Sequence, residues 1–148
     1  CGYPSFALEI PMNALFAYGT LMCEDIMLKV AGCCPGALPA TLAGYSRRRV
    51  RNELYPGLIP EGTSRVQGVL YTNLPASAWG QLDRFEGEMY WRQPVCVRLR
   101  DGRSSAAATY LVRPAFWHRL EESEWDFSDF LRNGKRQFQR GYRGYRAL

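Results

Sequence analysis

Histidine and closely paired cysteines are scarce in this sequence. It has one histidine, His118, and none of its cysteines are spaced as CxxC. A structural zinc site needs about four His, Cys or carboxylate ligands at short spacings, so we expect no metal ion. The five cysteines are odd in number and are interpreted as free thiols of a reducing cytosol; they are Cys1, Cys23, Cys33, Cys34 and Cys96.

Long apolar runs are also absent. No stretch approaches the roughly 18 apolar residues that a membrane helix requires. The first residues do not show the charged and then apolar pattern of a signal peptide. The hydrophobic share of 47% and the charged share of 22% are ordinary for a globular protein. We therefore predict a cytoplasmic protein that does not bind a membrane.

Positive charge is carried almost entirely by arginine, with 17 Arg against two Lys and a net charge of +5. Two arginine-rich segments have a composition found in nucleic-acid-binding proteins: residues 47–51 (Arg-Arg-Arg-Val-Arg) and the tail 139–148, in which Arg, Gly and Tyr recur. Basic strand ends are usually solvated, and chain ends usually fray. We interpret both segments in this way and do not expect a nucleic-acid partner.

The order of apolar patterns predicts an α+β fold. Strands are predicted at residues 14–18, 37–51, 66–72, 94–99 and 106–112, and helices at 23–31, 75–86 and 125–138. Residues 55–60 (Tyr-Pro-Gly-Leu-Ile-Pro) are interpreted as a constrained loop that lies against the body of the protein. Gly44 and Gly68 indicate bulges or close backbone contacts within strands. This order favours a curved or closed sheet over repeated βαβ units.

The length of 148 residues predicts one domain. We place this domain at residues 12–148. Residues 1–11 are rich in proline and apolar side chains, and they are interpreted as an N-terminal extension or an artificial remnant.

The first predicted strand leads directly into a glycine turn. Residues 14–18 read Ala-Leu-Phe-Ala-Tyr, Gly19 follows, and a helical pattern begins at about Cys23. A strand, a glycine turn and a helix expose several backbone N–H groups in one place. Such a nest of donors favours anions, so the turn is a candidate binding site.

Glu86 is the candidate catalytic residue. It ends the predicted helix 75–86, immediately before Gly87. A carboxylate at the negative end of a helix dipole is harder to ionise, so its pKa should be raised, as a general base near neutral pH requires. The alternative is a solvated acidic residue beside a turn. Glu88 lies beyond the glycine and is expected to point into water.

Three motifs together resemble the gamma-glutamylcyclotransferase-like superfamily, and most closely its AIG2-like branch. They are Phe-Ala-Tyr-Gly-Thr-Leu-Met at residues 16–22, the proline-bracketed segment 55–60, and Leu-Asp-Arg-Phe-Glu-Gly at residues 82–87 followed by Tyr-Trp-Arg-Gln-Pro-Val at 90–95. The resemblance covers about residues 13–140. It implies an α+β fold with a small mixed β-barrel of about five to seven strands, flanked by helices.

The resemblance also implies an activity. Such proteins cleave a γ-glutamyl amide through attack by the substrate's own α-amine, which releases 5-oxoproline and an amine or amino acid without a cofactor. Glu86 would move the proton, and the glycine turn would hold a small γ-glutamyl substrate. The residues implied to bind the substrate are Tyr18, Gly19, Thr20, Leu21, Met22 and Tyr90. The alternative is a non-catalytic module that binds a carboxylate-bearing metabolite in the same pocket.

Overall fold

The structure is a computed structural model that describes residues 12–146. The segment 1–11, predicted to be an extension or a remnant, lies outside the described residues. Within the described range, no helix is long and apolar enough to cross a bilayer.

Five strands close into a barrel. The strand order is β3-β1-β5-β4-β2, and β2 also pairs with β3, which closes the sheet; β6 is added beside β2. The pair β1–β5 is parallel, and the other strand pairs are antiparallel. The strands are β1 Leu15–Ala17, β2 Ala37–Val50, β3 Pro56–Tyr71, β4 Tyr90–Leu99, β5 Ser104–Val112 and β6 Leu120–Glu124. The predicted mixed barrel of five to seven strands is confirmed.

Residues on and next to the barrel strands form one of two hydrophobic clusters. Phe16 on β1, Leu42 on β2 and Leu70 on β3 are almost fully buried in it. Close backbone contact is needed here, because a Cβ on Gly68 would collide with the carbonyl oxygen of Ala17. The prediction of a close approach at Gly68 is confirmed, and it explains why the short strand β1 pairs so tightly with β3.

The second cluster joins the strands to two helices, α1 Glu24–Ala31 and α2 Ala78–Glu86. Leu15 belongs to this cluster, whereas its neighbour Phe16 belongs to the other, as the alternation of side chains along a strand requires. Gly32 has a left-handed φ of 77° at the end of α1, and Gly87 has a φ of 83° at the end of α2. Both helices therefore end immediately before a glycine, at the same residues as the predicted helices 23–31 and 75–86.

The segment 55–60 was predicted as a loop, which is wrong. Residues 56–60 are the start of β3, in which Pro56 pairs with Arg49 and Pro60 pairs with Tyr45 of β2. A predicted bulge at Gly44, which has a φ of 86°, shifts the register at this point. The two prolines masked the strand because proline has no N–H to donate and usually indicates a turn.

The C-terminal part is helical and packed rather than frayed. It comprises α3 Phe127–Asp129, a π-helical turn Phe130–Gly134, α4 Lys135–Gly141 and α5 Arg143–Arg146. The ring of Tyr142 stacks on Phe138 at a centroid distance of 4.8 Å, and Tyr145 is only 9% exposed. The predicted helix at 125–138 is thus present in outline. The prediction of a frayed tail from residue 139 is wrong for the residues that the structure describes.

Two further predictions need correction. Cys96 is disulfide-bonded, whereas Cys23, Cys33 and Cys34 are free thiols, so the prediction of free cysteines throughout is wrong. The arginines of residues 47–51 are not all solvated, because the side chain of Arg47 is only 11% exposed.

Candidate active site

A pocket lies where β1 ends, between the barrel, the end of α2 and the C-terminal helices. Most of its described lining is aromatic, and Glu86 is the one acidic residue among these lining residues. The residues that line it are Leu15, Phe16, Ala17, Tyr18, Gly19, Thr20, Leu21, Tyr55, Pro56, Phe85, Glu86, Tyr90, Tyr110, Phe138 and Tyr142.

The carbonyl oxygens of the glycine turn, residues 18–21, already accept hydrogen bonds from other groups of the protein. The four acceptors and their donors are Tyr18 O with Arg47 Nη1 (2.9 Å), Gly19 O with Met22 N (3.0 Å), Thr20 O with Cys23 N (3.1 Å) and Leu21 O with the Tyr71 hydroxyl (2.7 Å). Among the described residues, no hydrogen bond is donated by the backbone N–H of Gly19, Thr20 or Leu21. These residues are buried, and buried N–H groups require a partner. The turn therefore provides donors for an anionic or carbonyl oxygen.

Only glycine fits at position 19 without a shift of its neighbours. A Cβ there would lie 2.8 Å from Cγ of Pro56 on the opposite wall. The carbonyl oxygen of Pro56 in turn accepts a hydrogen bond of 2.7 Å from the hydroxyl of Tyr90. Gly19, Pro56 and Tyr90 thus form one packed layer of the pocket, and this layer fixes the position of the turn.

Glu86 faces this layer from the end of α2. Its side chain retains partial solvent contact, and no hydrogen bond or ion pair of its carboxylate is present among the described residues. Burial in the pocket, and then the negative charge of Asp83, raise the pKa of Glu86 to about 8. The sequence suggested a raised pKa from the helix dipole, but burial is the larger cause.

Two nearby carboxylates differ from Glu86. Asp83 accepts a hydrogen bond of 2.6 Å from the hydroxyl of Tyr110, and its Oδ2 lies 3.7 Å from Nη2 of Arg92. Glu88 is exposed and does not line the pocket. A carboxylate without a partner inside a pocket is available for proton transfer, whereas a paired or solvated one is not.

Two of the tyrosines around Glu86 direct their hydroxyls to backbone oxygens. Tyr18 donates to the carbonyl of Tyr110 at 2.6 Å, and Tyr142 donates to the carbonyl of Phe85 at 2.6 Å. Burial is the main cause that raises the pKa of Tyr18 far above its ordinary value. The tyrosines therefore stay neutral and form a wall of low polarity, which favours the protonated form of Glu86 and strengthens charge interactions within the pocket.

The structure brings most of the predicted site residues together. Glu86, Tyr90 and the turn residues 18–21 line one pocket. Met22 does not line it; its backbone N–H closes the turn by donating to Gly19 O. The sequence interpretation missed six aromatic lining residues: Phe16, Tyr55, Phe85, Tyr110, Phe138 and Tyr142. No single spacing rule groups them, because they come from five different segments of the chain.

At the end of the closed mixed barrel, a donor-rich turn lies opposite a carboxylate that is unpaired among the described residues. This class of pocket suits a small molecule with an anionic or carbonyl oxygen. Residues 15–127 match the family model described as gamma-glutamyl cyclotransferase, AIG2-like. The chain belongs to this family, and the resemblance seen in the sequence is confirmed. The matched range ends before Phe138 and Tyr142, so the C-terminal wall of the pocket lies beyond it.

Individual relatives agree with this assignment. AIG2-like protein C of Arabidopsis thaliana is 29% identical over 128 residues, which are 84% of this chain and 72% of that protein. A solution structure from Arabidopsis thaliana superposes with a TM-score of 0.65 at 26% identity and covers 86% of both chains. A structure described as gamma-glutamyl cyclotransferase superposes with a TM-score of 0.64 at 17% identity, over 74% of this chain and 68% of that one. This last likeness shows the fold.

Proposed function

We propose that the protein is a gamma-glutamyl cyclotransferase that uses Glu86 as its general base and acid. The observation that carries this proposal is the Glu86 carboxylate, which has no hydrogen-bond or ion-pair partner among the described residues and lies opposite the turn at Gly19 in a mainly aromatic pocket. The family assignment supports it independently. The substrate is a small molecule with a γ-glutamyl amide.

In the proposed reaction, the substrate's α-nitrogen attacks its own γ-carbonyl carbon. Glu86 accepts a proton from the α-ammonium group, so that the nitrogen has a free electron pair. A new C–N bond closes the five-membered ring, and the original γ-amide C–N bond breaks. Glu86 then delivers this proton to the departing nitrogen, takes up the second proton that the ring nitrogen loses, and passes it to the released amine, which leaves as an ammonium ion. The products are 5-oxoproline and an amine, and no water or cofactor is consumed.

The turn has two roles in this mechanism. The N–H groups of Gly19, Thr20 and Leu21 bind oxygen atoms of the glutamyl group and so hold it near Glu86. If the γ-carbonyl oxygen occupies one of these positions, the same donors stabilise the negative charge that develops on it. Ring closure within one molecule has effective molarities of up to ~10⁵–10⁸ M, so correct folding of the substrate supplies much of the rate. A nucleophilic Ser or Cys is not required.

The raised pKa of Glu86 suits the proton transfer. A carboxyl group with an ordinary pKa of 4.5 is a weak base towards an ammonium group, whereas one with a pKa of about 8 accepts the proton at a much smaller energetic cost. The approaching ammonium charge also stabilises the ionised carboxylate. Substrate binding therefore prepares the base in its active form.

The decisive experiment measures 5-oxoproline release from a panel of γ-glutamyl amides. We expect Glu86→Gln to lower turnover by ~10²–10⁴-fold, because the amide cannot accept the proton. Glu88→Gln is the matched control, since Glu88 is exposed and outside the pocket, and it should be fully active. For the wild type, kcat/KM should rise with pH up to about 8 as the carboxyl group ionises. A fully active Glu86→Gln protein would refute the assignment.

A non-catalytic module is the second candidate. The unpartnered N–H groups of the turn favour binding of a carboxylate-bearing metabolite whether or not a reaction follows. Calorimetry with the same panel distinguishes the two candidates. Binding of γ-glutamyl ligands without any 5-oxoproline release would favour the module, whereas turnover excludes it.

A further inference from the structure

Arg47 differs from the other arginines of its segment. Its side chain is 11% exposed, compared with 26% for Arg48 and 51% for Arg49. Arg48 lies 3.2 Å from Glu61, and Arg49 lies 3.9 Å from Glu121, both as surface pairs. Neither the proposed reaction nor the surface charge of the protein explains why Arg47 is buried.

The guanidinium of Arg47 reaches the glycine turn from behind. Its Nη1 donates a hydrogen bond of 2.9 Å to the carbonyl oxygen of Tyr18 and one of 3.2 Å to that of Gln67. Its Nε is buried and has no hydrogen-bond partner within residues 12–146. The guanidinium also lies 5.4 Å from the ring centroid of Trp125, which holds it in place.

The position of Arg47 is costly for a cation. Burial lowers the pKa of Arg47, and the carboxylates of Glu124 and Asp126 partly oppose this effect. Glu124 is the ion-pair partner, but it is 75% exposed and lies 3.7 Å away, so it compensates weakly. An arginine remains charged in proteins under these conditions. The chain therefore keeps a mostly buried positive charge directly behind the turn.

The carbonyl of Tyr18 and the N–H of Gly19 belong to the same peptide group. A hydrogen bond from a cation to the oxygen of a peptide polarises it and strengthens its N–H as a donor. The same bond fixes the rotation of the peptide plane. None of the described residues that line the pocket is Arg or Lys. Arg47 thus supplies positive charge to the pocket through one peptide group.

We propose that Arg47 is a positioning residue that orients and polarises the Tyr18–Gly19 peptide, so that the N–H of Gly19 binds an anionic oxygen of the substrate. This role rests on the proposed function only for the identity of the ligand as a glutamyl group. This role predicts that replacing Arg47 weakens ligand binding, whereas replacing a surface arginine of the same strand does not.

The test compares Arg47→Gln and Arg47→Lys with Arg48→Gln and Arg48→Lys, which are the same replacements at a more exposed arginine of the same strand. Calorimetry measures the affinity for 5-oxoproline, kinetics measures KM and kcat with the best γ-glutamyl amide, and NMR measures the backbone amide signal of Gly19. For Arg47→Gln we expect KM and the Kd for 5-oxoproline to rise by about 10-fold or more, with a smaller change in kcat. Arg47→Lys should recover part of the affinity, and both Arg47 variants should shift the Gly19 amide signal.

The outcomes separate this proposal from the proposed function. If the wild type binds 5-oxoproline but catalyses no release, and the Arg47 variants bind it more weakly, the role of Arg47 stands and the cyclotransferase assignment fails. If the wild type is active and both Arg47 variants keep its KM, affinity and Gly19 signal, the role of Arg47 is refuted. Should Arg47→Gln fail to fold, the Arg47→Lys protein decides alone by the same three readouts. A wild type that neither binds nor reacts refutes both.

Discussion

Replacing Glu86 by glutamine should change how the stability of the protein depends on pH. The pKa of Glu86 is about 8 in the folded chain, against an ordinary value of 4.5 that applies after unfolding. Below pH 4.5 the carboxyl group is protonated in both the folded and the unfolded state, so it does not lower the free energy of unfolding. As the pH rises towards 8, the unfolded chain ionises while the folded chain keeps its proton, so the free energy of unfolding decreases. Above pH 8 the carboxyl group is ionised in both states, and the free energy of unfolding has been lowered by the full amount.

The size of the effect follows from the two pKa values. Their difference corresponds to at most about 5 kcal/mol, at about 1.4 kcal/mol for each pH unit. Because the side chain retains partial solvent contact, we expect a smaller value, ~2–4 kcal/mol. Glutamine carries no charge at any of these pH values. The Glu86→Gln protein should therefore become more stable than the wild type as the pH rises from about 5 to 9.

Urea unfolding at several pH values measures this difference directly. Other titrating groups contribute equally to the wild type and the variant, so the difference between the two curves isolates Glu86. Glu88→Gln is the control, and its curve should run parallel to that of the wild type, because Glu88 is exposed. If the Glu86→Gln curve also runs parallel to the wild type between pH 5 and 9, Glu86 does not have the raised pKa on which the mechanism depends.

Two other substitutions test the packing behind the pocket. Gly68→Ala places a Cβ against the carbonyl oxygen of Ala17 and should lower the free energy of unfolding by ~1–3 kcal/mol. Gly62→Ala is the control and should have little effect, because nothing lies within 4 Å of its Cβ. Equal Tm values for both variants would contradict the tight pairing of β1 with β3. Tyr142→Phe removes the hydrogen bond to Phe85 O and should cost ~0.5–1.5 kcal/mol in urea unfolding. An unchanged stability for Tyr142→Phe would mean that this hydroxyl contributes nothing to the C-terminal wall of the pocket.

The sequence by itself was sufficient to predict the local features around the turn and α2. A short apolar run predicted β1, and glycines with positive φ end both α1 and α2 where expected. The motifs around Gly19 and Glu86 were sufficient for the family, which the match over residues 15–127 confirms. These features depend on neighbours within a few residues, so a linear pattern contains the information. The prolines at 56 and 60 show the limit of such patterns, because pairing with β2 made a strand of a segment that reads as a loop.

Only the tertiary structure decided the electrostatics of the site. Glu86 owes its raised pKa mainly to burial, and the wall around it includes Tyr18 and Tyr110, which are 92 residues apart in the chain. Arg47 looks like its solvated neighbours in the sequence, but the fold buries it behind the turn. Tyr142 belongs to a tail whose composition suggested fraying. Burial and charge contacts depend on residues that are far apart in the sequence. The spacing of residues was therefore sufficient to indicate Glu86 as the carboxylate to consider. The protonation state of Glu86 is determined by the closed barrel and the C-terminal helices.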